Sequence, residues 1–160
     1  MLRAADASSD SVRWKLESGG TVGPQEVALA SIPAAGLRVC IYDGAAAAPP
    51  LVAMGVGEDC GGKPCWRAIG PKGRAAGLRY RNKTGAPDGI VDVRLRARNG
   101  ELGLVLRAQR GAVAMPALGV RLPMTAQLLV GDPAHPLCWQ STFATAFRND
   151  GTVVKATQQP

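Results

Sequence analysis

The chain has 160 residues, with 20 Gly, 12 Pro and only 4% aromatics, and its 19 Lys and Arg outnumber 12 Asp and Glu to give a net charge of +7. Gly and Pro at this frequency exclude a long-helix bundle or coiled coil. No apolar run approaches the roughly 18 residues of a membrane-spanning helix, and the single His excludes a mechanism built on two imidazoles.

Residues 1–10 are small and polar and read as a flexible N-terminal segment ahead of one domain over 11–160. Short stretches of period-two alternation follow, the pattern of half-buried strands. Val12, Trp14 and Leu16 alternate with Arg13 and Lys15. Gln25–Ile32 reads as a strand, with a single helical turn as the alternative. Leu37, Val39 and Ile41 alternate with Arg38, Cys40 and Tyr42 up to an Asp43-Gly44 turn, and Ala45–Ala48 reads as a loop. Leu78 and Tyr80 alternate with Arg79 and Arg81. Val91, Val93, Leu95 and Ala97 alternate with Asp92, Arg94, Arg96 and Arg98 up to Asn99-Gly100, and Leu102, Leu104 and Leu106 continue the spacing. Ala126, Leu128 and Val130 form another such set. Segments at Cys138–Phe147 and Thr152–Ala156 flank Asn149-Asp150-Gly151 and read as a terminal hairpin. Strands at this spacing predict an all-β fold with little helix: an antiparallel β-sandwich or jelly-roll-like domain of about 8–10 short strands.

The four cysteines, Cys40, Cys60, Cys65 and Cys138, are separated by 19, 4 and 72 residues. A Cys₄ zinc site prefers two close pairs, and only Cys60 and Cys65 are close. Buried thiols are the other alternative, since Cys packs as a small hydrophobe. Two disulfides are the expected arrangement; of the three possible connectivities the favoured one is Cys60–Cys65 across the Gly-Gly-Lys-Pro loop, with Cys40–Cys138 joining distant segments. No metal or other cofactor is expected.

The most informative surface feature is cationic. Arg79, Arg81 and Lys83 share one strand face, and Arg94, Arg96 and Arg98 share another. If residues 84–89 join these strands as neighbours, all six cations crowd one sheet surface with Asp92 as the local offset. Like charges directly opposite destabilise a sheet. One reading is a site for an anionic polymer, for which arginine supplies forked contacts. The other is a solvated face whose long stems cover apolar surface. Sequence-specific nucleic-acid binding is disfavoured, because no helix-turn-helix, zinc finger or RNA-recognition signature is present.

The remaining candidates have structural readings. Trp66 and Trp139 each follow a cysteine and are expected in the core, with a sugar-stacking pair as the alternative. Tyr80 is expected inward with its hydroxyl bonded. His135 stands between prolines in a rigid loop and lacks a G-x-S-x-G partner element. Glu58-Asp59 lack the alternating acids of a calcium loop, and Gly55-Val56-Gly57 lacks the strand–turn–helix context of a dinucleotide site.

In order, Cys60-Gly-Gly-Lys-Pro-Cys65-Trp66, Gly77-Leu-Arg-Tyr-Arg-Asn-Lys83, Pro87-Asp88-Gly89, Met115-Pro-Ala-Leu118, Ala126–Val130, Cys138-Trp139 with Phe143, and Asn149-Asp-Gly151 with Val154–Ala156 run through the chain. Over about residues 37–156 this series resembles a recurring β-rich C-terminal module of predicted secreted proteins from myxobacteria-like environmental bacteria. The segment at 77–83 departs from the Gly-Tyr-Lys-Tyr-Lys-Asp-Lys of such modules at Leu78 and Asn82 and carries Arg for Lys. The resemblance implies an exported accessory module and supplies no catalytic residues. Met1–Asp10 has no apolar core and is not a signal peptide. Taken at face value the missing signal argues for the cytoplasm and against disulfides; the cysteine pattern and the resemblance favour export to the cell surface or medium, which implies a trimmed form or an internal domain of a longer precursor.

Together these readings predict a non-enzymatic exported anchoring or adhesion module. Its expected partner is an anionic polysaccharide or cell-envelope polymer. The alternative is a structural subunit or repeat unit of an extracellular assembly formed by edge-strand pairing between copies. A small hydrolase is the least favoured reading.

Overall fold

The structure, a computed structural model, describes residues 1–4, 10–16, 36–44, 49–57, 60–70, 77–98, 101–109, 113, 115, 118–131 and 137–157. The expectations for Gln25–Ile32, Ala45–Ala48, Glu58-Asp59, Asn99-Gly100 and His135 lie outside these residues.

The described residues form twelve strands and no helix. They are β1 (Leu2–Arg3), β2 (Ser11–Leu16), β3 (Leu37–Asp43), β4 (Val52–Gly55), β5 (Trp66–Ile69), β6 (Gly77–Arg81), β7 (Ile90–Arg98), β8 (Glu101–Gln109), β9 (Met124–Val130), β10 (Leu137–Phe143), β11 (Ala146–Asn149) and β12 (Val153–Ala156). Sheet A has the order β11-β12-β1-β2-β8-β7-β6-β5, and sheet B has the order β10-β9-β3-β4. Every pairing is antiparallel. The fold is an all-β sandwich, as the alternation predicts, with more strands than the 8–10 expected.

The alternation maps directly onto burial. In β2, Val12, Trp14 and Leu16 are buried while Arg13 and Lys15 are exposed. In β9 the buried set is Met124, Ala126, Leu128 and Val130. These inward side chains from both sheets join one core in which Tyr80, Val93, Leu95, Leu106, Val39 and Leu128 are at 0% exposure. Period-two placement makes strands such as β2 and β9 one-sided contributors to that core. The β7–β8 connection is two residues long, since Arg98 pairs with Glu101.

Three expectations are corrected. The first residues are not a flexible segment throughout: Leu2 pairs with both Val12 and Val154 and is 2% exposed. Two residues are too short to show a period, yet one buried leucine and two neighbouring strands hold them in the sheet. Next, Cys138–Phe147 is not one hairpin strand. It divides at Ala144-Thr145, with β10 in sheet B and β11 in sheet A, and only β11 pairs with β12.

The third correction concerns sulfur. Cys60–Cys65 is formed, with a Cα separation of 5.4 Å. Cys40 and Cys138 are instead free thiols. Strand β9 lies between β3 and β10, which sets the two strands about 10 Å apart. A disulfide bridges Cα atoms up to roughly 7 Å apart. Cys40 is buried and Cys138 exposed. Partial burial, with a lesser contribution from Cys40, raises the Cys138 pKa above the ordinary thiol value.

The β11–β12 turn is held by one side chain. Asp150 Oδ1 accepts from Thr152 N at 2.8 Å, Thr152 Oγ1 at 2.8 Å and Val153 N at 2.9 Å, and its Oδ2 accepts from Arg148 Nε. The Arg148 contact first, then the Thr152 and Val153 donors, hold its carboxyl well below the usual carboxylate range. A depressed folded pKa stabilises above the unfolded value and loses that contribution as pH falls through the folded one.

Two measurements check this description. Leu106→Ala, at a fully buried site, should lower stability by about 2–5 kcal/mol in urea unfolding, and a loss under 1 kcal/mol would place Leu106 outside the core. Thiol titration without reductant should find two reactive sulfurs in the denatured protein. In the folded protein only Cys138 should react.

Candidate functional site

Strands β5 to β8 and β2 carry the cationic side chains on the outer face of sheet A, because their inward positions are taken by the core. Residues 82–89 do join β6 to β7 as neighbours. Arg79 stands opposite Arg94, and Arg81 opposite Asp92. Asp92 stands opposite Arg107 on the other side, and Arg13 of β2 opposite Arg107. Arg67 of β5 stands opposite Arg79. One cross-strand row thus reads Arg67, Arg79, Arg94, and the next Arg81, Asp92, Arg107, Arg13. Arg96 sits one step along β7, opposite Gly77 and Gly103. Arg98 ends β7, and its side chain lies outside those described.

Direct opposition of Arg79 and Arg94 would be repulsive without a counter-charge. Asp92 supplies it. Its Oδ2 accepts from Arg79 Nε at 3.0 Å and contacts Nη2, and its Oδ1 accepts from Arg94 Nε at 3.1 Å. The side chains of Arg79 and Asp92 are 19% and 16% exposed, against 45% for Arg94. This bridge is therefore less screened than an ordinary surface pair.

The loop after β6 is built on two polar side chains. The Tyr80 hydroxyl accepts from Gly57 N at 3.0 Å and donates to Gly57 O at 3.2 Å. This ties sheet A to the segment that follows β4. Asn82, 1% exposed, donates from Nδ2 to Ala86 O at 2.9 Å and to Tyr80 Oη at 3.2 Å. Its Oδ1 accepts from Thr84 Oγ1 at 2.7 Å, Thr84 N at 3.0 Å and Gly85 N at 3.3 Å. A carboxylate in this place would keep the acceptor and lose both amide donations. Gly57 is needed for the close approach: a Cβ there would lie 2.5 Å from Ala86 O and 2.9 Å from Pro87 Cδ. Asp88 Oδ2 accepts from Gly55 N at 2.9 Å as a second tie to β4. Arg81 and Lys83, which flank Asn82, are exposed on this fixed support.

Two wells adjoin the support. The first, about 470 Å³, is bounded by the Cys60–Cys65 loop, Arg67, Arg81 and Lys83. The second, about 410 Å³, is bounded by Arg79, Arg81, Lys83, Asp92, Arg94 and Arg107. The disulfide loop is fixed to the sheet where Arg81 N donates to Cys65 O at 2.9 Å.

The structure brings together Arg79, Arg81, Lys83 and Arg94 as lining of the second well. Arg96 is exposed on the same face but is not among the described lining residues of either well. Reading along the chain missed Arg67, Arg107 and Arg13. Arg67 and Arg107 are single cations in their strands and Arg13 is accompanied in β2 by Lys15 alone, and only the strand order makes these three neighbours of the others. Tyr80 is buried and bonded as predicted. Trp139 is in the core at 8% exposure, whereas Trp66 is half-buried on edge strand β5 and packs against Tyr80 with ring centroids 5.2 Å apart. Trp66 and Trp139 lie in different sheets. Among the described residues, no group of three or more His, Cys, Asp or Glu is placed to hold a metal ion.

No protein-family model matches the chain, and no curated protein and no solved structure is significantly similar to it.

Asn82→Ala should cost about 2–3 kcal/mol, because it leaves buried backbone donors and Ala86 O without their partner. Chemical denaturation reads the loss, and an unchanged midpoint would refute the supporting role given to Asn82.

Proposed function

We propose that this protein is a non-enzymatic, exported accessory module, an anchoring or adhesion domain, that binds an anionic polymer through the outer face of sheet A. The partner class is an acidic polysaccharide or other anionic cell-envelope polymer. The observation that carries this reading is the cross-strand row Arg67–Arg79–Arg94 beside Arg81 and Arg107, a concentration of guanidinium groups that needs Asp92 to be tolerated. A sheet gains no stability from such crowding, while forked donors suit carboxylate, sulfate and phosphate. The Cys60–Cys65 disulfide is in keeping with an oxidising compartment. The resemblance of the CGGKPCW and CW elements to modules of predicted secreted proteins points the same way.

Immobilised heparin should retain the protein, and retention should fall steeply with salt as counterions compete. The Arg81→Ser, Arg96→Ser, Arg107→Ser triple variant should elute at clearly lower salt. Unchanged elution would overturn the reading. Salt-insensitive, concentration-dependent assembly in light scattering would favour the structural-subunit alternative instead, through an edge such as β11 with its exposed Phe147.

Asp92→Asn separates stability from binding. Removing the bridging charge should lower stability by about 1–2 kcal/mol and at the same time strengthen heparin retention, since Arg79 and Arg94 become available to ligand. Loss of both together would assign Asp92 to the binding surface itself.

A further inference from the structure

The two wells adjoin over the end of β6, where Arg81, Asn82 and Lys83 line both. We propose that they form one two-subsite track for an extended acidic polysaccharide, with Arg81 and Lys83 contacting the chain where it passes between subsites. This rests on the anion-binding reading above and adds the form and minimum length of the ligand.

Each end has its own cations. Lys63 and Arg67 belong to the disulfide end, and Arg107 to the β8 end. The track crosses from β5 to β8, three strand spacings or about 14 Å. A single anionic group cannot reach both ends, whereas a polymer with repeated charges engages both at once. The second contact is then intramolecular and strengthens binding without new chemistry. The disulfide holds the Lys63 wall, since Cys60 and Cys65 close the loop that carries it. The described lining residues of both wells include no aromatic side chain. Single-stranded nucleic acid is gripped by stacking its bases on such rings, so the track favours a polysaccharide.

Size-defined heparin oligosaccharides, assayed by calorimetry at fixed salt, test the proposal. Affinity should step up by about tenfold or more once the ligand exceeds the 14 Å span. The Lys63→Gln, Arg67→Gln double variant changes two exposed side chains. It should lose that step and keep the affinity for short ligands. Cys60→Ser with Cys65→Ser should weaken long-ligand binding in the same way while the thermal melt shows the protein still folded. Salt-sensitive binding with no length step, or a step that survives in the Lys63/Arg67 variant, would overturn the track and leave the anion-binding reading standing. No salt-sensitive binding at any length would overturn both. Equal affinity for oligothymidylate of matched length would overturn the polysaccharide assignment.

Discussion

Burial of one face of each sheet against the other is the constraint from which the rest of the molecule follows. Strands β2, β6, β7 and β8 turn inward side chains such as Val12, Trp14, Leu78, Tyr80, Val93, Leu95, Leu104 and Leu106 into the core. Whatever alternates with these residues must face away from the core. The arginines of β6, β7 and β8 are therefore neighbours because of the packing behind them. Their mutual repulsion is relieved where Asp92 meets Arg79 and Arg94.

Rigidity at the loop end of this face comes from a different source. Tyr80 reaches from the core of sheet A to Gly57 beyond β4, and Asn82 uses both ends of its amide to hold residues 84–86. Buried polar groups cost free energy unless every partner is supplied, and here backbone, hydroxyl and amide supply one another. The exposed Arg81 and Lys83 consequently start from an ordered backbone. Less entropy is lost when they engage a ligand than would be from a loose loop.

Much of the fold was legible because alternation is a local signal. Val12-Arg13-Trp14-Lys15-Leu16 and Met124–Val130 declare their faces without reference to any other segment. What failed was non-local or too short. Leu2-Arg3 is shorter than one full alternation. Cys138–Phe147 keeps a plausible strand composition across the Ala144-Thr145 break, where the chain leaves one sheet for the other. The Cys40–Cys138 pairing failed because strand order, not spacing in the chain, sets the distance between β3 and β10. The same limit applies to the site. Arg79, Arg81, Arg94 and Arg96 were found as runs, while Arg67, Arg107 and Arg13 became visible only through register. The Asn82 cluster was hidden, since five hydrogen bonds to one amide leave no periodic trace in sequence.

Cys138 lies on the solvent side of β10, in the sheet opposite the arginine rows. Maleimide coupling through this sulfur would give an oriented monolayer in which each molecule presents its guanidinium-bearing surface outward. Because burial raises the thiol's pKa, the coupling proceeds faster in mildly alkaline buffer. The Cys60–Cys65 bond takes no part in it, so the attachment chemistry leaves the opposite side of the molecule unaltered.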